Sequence, residues 1–252
     1  MSSYRRTLRF APLALAVGLV LAATSGPAGA ATDRLPDLRM SYPRAFTVDT
    51  STMPDHRLLR FSTLTVNVGD GPFEVHGQRP DTSTATMSVS QVVYDAVGGR
   101  REIPTSDVML YDVGDGHHHW HLQGLAKFTL LRPDGSLAAT SPKVGFCFFD
   151  GSAYQLSLPG APQQSVYQRA ACGTPTSLEV RAGLSVGWAD TYRYVVANQW
   201  IDVTGVPDGA YKVRVTADAS GYFLEINEQD NSNYANITLQ GTTVRVIGHG
   251  PK

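Results

Sequence analysis

The sequence predicts an all-β protein, an antiparallel β-sandwich with long irregular loops, and three observations predict it. Beyond residue 30 no long stretch carries the apolar period of a helix. Short runs instead alternate apolar and polar residues, the period of a half-buried strand. Paired glycines or Pro-Asp-Gly interrupt these runs at short intervals, as in sandwich folds.

The first thirty residues stand apart. Arg5, Arg6 and Arg9 precede an apolar run from Ala11 to Ala23, and Ala28-Gly29-Ala30 supplies a small-x-small cleavage pattern. This is the layout of a secretory signal peptide. The apolar run is shorter than the roughly 20 residues of a membrane span. Arg9 stands where a twin-arginine signal wants an apolar residue, so both export routes stay open. The division is therefore a signal peptide, residues 1–30, and one domain, residues 31–252, which is secreted, extracellular and free of the membrane after cleavage. Cleavage removes three arginines and no acid, leaving 18 basic and 22 acidic residues. A net charge of −4 argues against a nucleic-acid partner and suits a cationic one.

The strands follow in order. "HRLLRFSTLTVNVGDGPFEVHG" reads as two strands about a hairpin signal, Gly69-Asp70-Gly71. "SVSQVVYDAVGGRREI" repeats the device with Gly98-Gly99, and "LAKFTLLRPDGSLAA" with Pro133-Asp134-Gly135. "NQWIDVTGVPDGAYKVRVTAD" places Pro207-Asp208-Gly209 between two alternating runs. "RPDTSTATM" and "GSAYQLSLPGAPQQSVYQRAACGTPTS" stay irregular, and loops as long as the second usually serve a function. Cys147 and Cys172, an even pair in an oxidising compartment, read as a disulfide; a thiolate ligand for copper or zinc is the alternative.

The chemistry concentrates in "GDGHHHWH", which holds four of the seven histidines. On a strand His117, His119 and His121 share one face, with His118 and Trp120 opposite. A flat strand would carry the third imidazole about 13 Å from the first, too far for one ion with bonds of about 2 Å. The chain must bend, and Gly114 and Gly116 supply unusual backbone angles. An all-imidazole set suits copper or zinc rather than calcium or magnesium.

"GDGHHHWH", then "LLRPDGSLAATSPKVGFCFFD", "GLSVGWADTYRYVVANQWIDVTGVPDGAYKVRV" and "NEQDNSNYAN" together resemble the catalytic domain of the lysyl oxidase family, in a secreted form of bacterial type. The resemblance implies a copper amine oxidase with a self-made quinone, lysine tyrosylquinone. It assigns His117, His119 and His121 to copper, and Lys143 and Tyr192 to the quinone. The general base does not transfer, because "LQGLAKF" follows the copper motif here; Asp190, two residues before Tyr192, is the candidate by proximity, a capping aspartate being the alternative. A histidine that animal members place three positions before the triad is Gly114 here, and their further cysteines are missing. The resemblance also implies a calcium loop. In it Glu228, Asp230, Ser232 and Asn233 would join Asp37 and Leu38, oxygen ligands that suit Ca2+; an ordinary polar turn, with Asn231 inside it, is the alternative. The implied partners are molecular oxygen, primary amines and lysine side chains of extracellular or cell-wall proteins. The competing reading is a non-catalytic extracellular copper-binding or adhesion module, which needs neither Lys143 nor Tyr192.

Overall fold

The computed structural model describes residues 32–112, 118–143 and 145–250. The signal segment and His117, with the glycines before it, lie outside the described residues. The strands in chain order are β1 (Asp33–Arg34), β2 (Leu38–Met40), β3 (Arg44–Asp49), β4 (Leu58–Asn67), β5 (Phe73–Gln78), β6 (Thr86–Asp95), β7 (Arg100–Asp112), β8 (His119–Leu122) and β9 (Ala126–Leu131). They continue with β10 (Leu137–Thr140), β11 (Ser152–Ala153), β12 (Glu179–Leu184), β13 (Trp188–Tyr192), β14 (Trp200–Asp202), β15 (Gly209–Ala217), β16 (Ser232–Gln240) and β17 (Thr243–Gly250). Among the described residues one 3-10 turn, Arg169–Cys172, sits in the long irregular loop. The fold is all-β, and every strand pairing is antiparallel.

Three sheets form. The first runs β12-β5-β6-β7-β8, the second β10-β9-β15-β16-β17, and the third β11-β13-β4-β14 with β2 and β3 also on β4. β4 is buried along its whole length, because β3 and β14 flank its first half while β2 and β13 flank its second. β5 is buried at every position but its last, whereas β15 shows the period-two alternation of a half-buried strand: Tyr211, Val213, Val215 and Ala217 point inward while Arg214 is exposed. Residues from all three sheets meet in one core. A chain of rings runs through it, Phe46–Phe61–Phe128–Phe146–Tyr192, with centroids 5.0–5.8 Å apart.

Two of the four expected turns are hairpins. Gly98-Gly99 closes β6 on β7, and Pro133-Asp134-Gly135 closes β9 on β10. The other two are crossings between sheets. β4 and β5 do not pair across Gly69-Asp70-Gly71; β4 lies in the third sheet and β5 in the first. The glycines are needed there for another reason. A Cβ on Gly69 would meet the Leu35–Asp37 backbone at 2.5 Å, and one on Gly71 would meet the Arg34 carbonyl at 2.2 Å. The N-terminal segment lies against this turn. Asn67, fully buried, ties the two together: its Oδ1 accepts from the amides of Asp37 and Gly69, and its Nδ2 donates to the carbonyls of Gly71 and Leu184. Pro207-Asp208-Gly209 likewise carries the chain from β14 in the third sheet to β15 in the second.

Candidate active site

The histidine motif enters β8, an edge strand of the first sheet that pairs with β7. The bend shows in the described backbone at His118, whose φ is 54°. His118 is exposed, and its carbonyl accepts the Tyr111 hydroxyl at 2.8 Å. His119 and His121 share the opposite face. Their Nε2 atoms approach to 2.9 Å, with the rings edge to face at 80°. Two imidazole nitrogens this close could hold one ion together, and imidazole ligands suit copper or zinc. The imidazole pair therefore fits copper. Trp120, between them, is locked on the other side of the strand: its Nε1 donates to the Thr174 carbonyl, and the Arg79 guanidinium lies 4.6 Å from its ring.

The lysine motif "PKVGFC" arrives beside β8 through Phe146. Leu122 and Phe146 exchange backbone hydrogen bonds of 2.8 and 2.9 Å. Gly145 lets the two segments approach, since a Cβ there would lie 2.9 Å from the His121 Cβ and 3.0 Å from its Nδ1. Lys143 is 4 % exposed, an unusual place for an ammonium group. Its Nζ lies 5.0 Å from the Phe146 ring centre and 5.2 Å from that of Tyr192.

Tyr192 comes from β13, held in register by Thr63 of β4. The Gln-Trp-Ile-Asp motif supports this strand from behind: Gln199 donates to Thr63 Oγ1 at 3.2 Å, and Trp200 lies under Arg60 at 4.5 Å. Asp190 and Tyr192, two apart, share the inward face. The tyrosine hydroxyl donates to the Cys147 carbonyl at 3.0 Å, leaving the buried Oδ2 of Asp190 without a hydrogen-bond partner. Burial pushes the Asp190 carboxyl up to about 8, while the Thr191 amide and the Lys143 charge pull the other way. Burial, aided by the charge on Asp190, also holds the Tyr192 phenol well above its ordinary range.

A cavity of about 140 Å3 opens onto these groups. Asp190, Tyr192 and Cys147 form its buried end, with His119, Phe149 and Val196 along its sides and Arg169 at the exposed end. Cys147 and Cys172 are joined in a disulfide, with Cα atoms 6.0 Å apart. The bridge ties the 3-10 turn bearing Arg169 to the segment whose carbonyl holds Tyr192. Sequence reasoning missed Arg169, Phe149 and Val196. No motif marks them, and only the disulfide pattern hinted that the long loop returns to the lysine segment.

The residues expected to bind calcium gather at one place, with different partners. Arg39 bridges Asp37 and Asp230 at 2.6 and 2.9 Å. The Leu38 amide donates to Glu225, and the Ile226 amide to the Pro36 carbonyl. The carboxylates that converge within 4.8 Å are Asp218, Glu225 and Glu228, so only Glu228 belongs to both sets. Burial raises all three, Glu225 to about 9. The buried Oδ1 atoms of Asp230 and Asn231 in the same loop have no hydrogen-bond partner. Three crowded carboxylates with unpartnered oxygens nearby form a donor set that suits a hard cation.

Comparison with known proteins agrees with this geometry. A lysyl oxidase family profile matches residues 83–248. The chain is similar to lysyl oxidase homolog 2 of Gallus gallus, 32 % identical over 120 residues, and to lysyl oxidase homolog 4 of Homo sapiens, 28 % identical over 178 residues. These alignments cover 47 % and 70 % of this chain but only 13 % and 18 % of those much longer proteins. The matched region contains the histidine strand, the buried lysine and its tyrosine, and the chain belongs to the lysyl oxidase family.

Proposed function

We propose that this chain is a secreted copper amine oxidase. It converts primary amines, peptidyl lysine included, to aldehydes: one amine, one oxygen molecule and one water yield one aldehyde, one ammonia and one hydrogen peroxide. The observation that carries this reading is the buried Lys143 with its nitrogen 5.2 Å from the centre of the Tyr192 ring, beside a chelating histidine pair. A copper-storage or adhesion module has no use for an ammonium group buried against a phenol.

His119 and His121, with His117, would hold copper. Lysine tyrosylquinone, joined from Lys143 and Tyr192, would supply an electrophilic carbonyl that accepts the electrons of the amine. The protein's own task is then placement and proton transfer. Burial keeps Lys143 beside the ring, so its amine acts at high effective concentration. The Cys147 carbonyl fixes the tyrosine ring through its hydroxyl. Phe146, packed edge-to-face on Tyr192 at 5.0 Å, excludes water from that side. Asp190, with an unpartnered oxygen in the same cavity, would take the proton from the substrate carbon beside the nitrogen. The buried Asp218 and Glu225, with Glu228 at the exposed edge of the cluster, would bind calcium in a structural role. The substrates in view are lysines of extracellular or cell-wall proteins.

The test is peroxide release from primary amines by protein expressed with copper. Lys143→Arg and Tyr192→Phe should each abolish it, together with quinone absorbance and reactivity toward phenylhydrazine, while circular dichroism stays unchanged. Full activity in either variant overturns the reading and returns the chain to copper binding without catalysis.

A further inference from the structure

The cavity is small for a catalytic site. Pockets that enclose whole drug-sized ligands run to about 300–1,000 Å3, and a cavity of about 150 Å3 holds a benzene ring. At about 140 Å3 this one admits the amine and its alkyl chain and leaves the rest of the substrate outside. What waits outside is Arg169. It is exposed, yet it lines the same cavity as Tyr192 and Asp190. Among the described residues its guanidinium has no carboxylate partner. Its position is built rather than incidental. It opens the 3-10 turn that ends at Cys172, and the disulfide fastens that turn to Cys147 at the buried end of the cavity. Its charge reaches inward far enough to favour ionisation of Tyr192.

We infer that Arg169 selects primary amines that carry a carboxylate beyond the alkyl chain. The inference rests on the oxidase reading above. The anion has two sources: the substrate's own carboxylate, as in a free ω-amino acid, or an acidic residue beside a peptidyl lysine. The amine enters, its methylene groups contact Phe149 and Val196, and the carboxylate meets the guanidinium at the rim. An arginine suits this role because its planar fork pairs with both carboxylate oxygens. Since the pair forms at an exposed position the selection is modest, about 1.5- to fivefold.

The experiment uses copper-loaded protein and three amines of equal chain length: 6-aminohexanoate, hexylamine and 1,6-diaminohexane. They end in a carboxylate, a methyl group and an ammonium. A parallel arm uses blocked peptides with Glu or Lys next to the reactive lysine. The expected order of kcat/KM is 6-aminohexanoate first and 1,6-diaminohexane last, and the spread should shrink at high salt, where the Debye length falls to about 3 Å. Arg169→Gln should bring the ratio of the first to the last close to one, Arg169→Glu should invert it, and Arg169→Lys should keep its sign. The arm with the larger effect identifies the source of the anion. The wild-type series alone is decisive if a variant misfolds. Peroxide production with the same kcat/KM across both arms overturns the selection and leaves the oxidase reading standing. No peroxide from any amine overturns both.

Discussion

Asp190 is the residue whose surroundings best match a task. A carboxyl raised to about 8 by burial becomes a base only in mildly alkaline solution. We expect kcat/KM for a fixed amine to rise through about pH 8, and Asp190→Asn to lose activity by at least about a hundredfold together with that limb of the profile. A capping aspartate would give neither result. The same shift bears on stability. The folded value lies above the ordinary 3.8, so the contribution is fully present below 3.8 and is lost as pH rises through about 8. Asp190→Asn, which cannot ionise, should therefore raise Tm more at pH 9 than at pH 5, as read by thermal melts at the two pH values.

At the scale of elements, the site depends on one backbone contact, the bridge between Leu122 and Phe146 that sets the histidine strand beside the lysine segment. Gly145 is where that approach is tightest. Gly145→Ala should push His121 aside and weaken copper binding by about ten- to a hundredfold, the range of outer-shell substitutions, with circular dichroism unchanged; copper titration measures it. The strands and both hairpins were legible in the sequence because period-two alternation and turn residues are local signals. The two crossings were not. Gly69-Asp70-Gly71 announces that the chain turns, but the partner of β5 is decided by burial elsewhere, and the glycines answer to a segment some 30 residues earlier. His119 and His121 stood out by their own spacing, Lys143 and Tyr192 only through the motifs that resemble the family, and Asp190 only by its nearness to Tyr192. Arg169 was hidden, because its place depends on a disulfide and on the path of an irregular loop.

For the molecule as a whole, two ties close long loops. The disulfide closes 25 residues, and its loss in Cys147→Ser or Cys172→Ser should cost roughly 3–4 kcal/mol. That is a fall in Tm of about 6–16 °C for a domain of this size, to be checked by calorimetry. The variants should also lose order at Tyr192 and Arg169, which hang on either side of the bridge. The second tie is the acidic cluster. Calcium added after chelation should raise Tm by several degrees through binding to the folded state alone, and Glu225→Gln should remove most of the gain. An unchanged Tm would leave the cluster without a cation.

That second tie fastens the beginning of the domain to its end: the Leu38 amide meets the Glu225 carboxylate across 187 residues. Contacts so distant in sequence are costly to close and slow a chain to fold. The loop bearing Glu225 is made late in synthesis, so Leu38 must wait for it while most of the strands are already available to pair. Interactions absent from the folding transition state act on the rate of leaving the native state rather than on the rate of reaching it. Bound calcium should accordingly slow unfolding and leave refolding unchanged, a difference that stopped-flow traces with and without the ion would display. On the proposed reading of a secreted enzyme, with no chaperone to return an unfolded chain, the time before the first opening is the stability that counts.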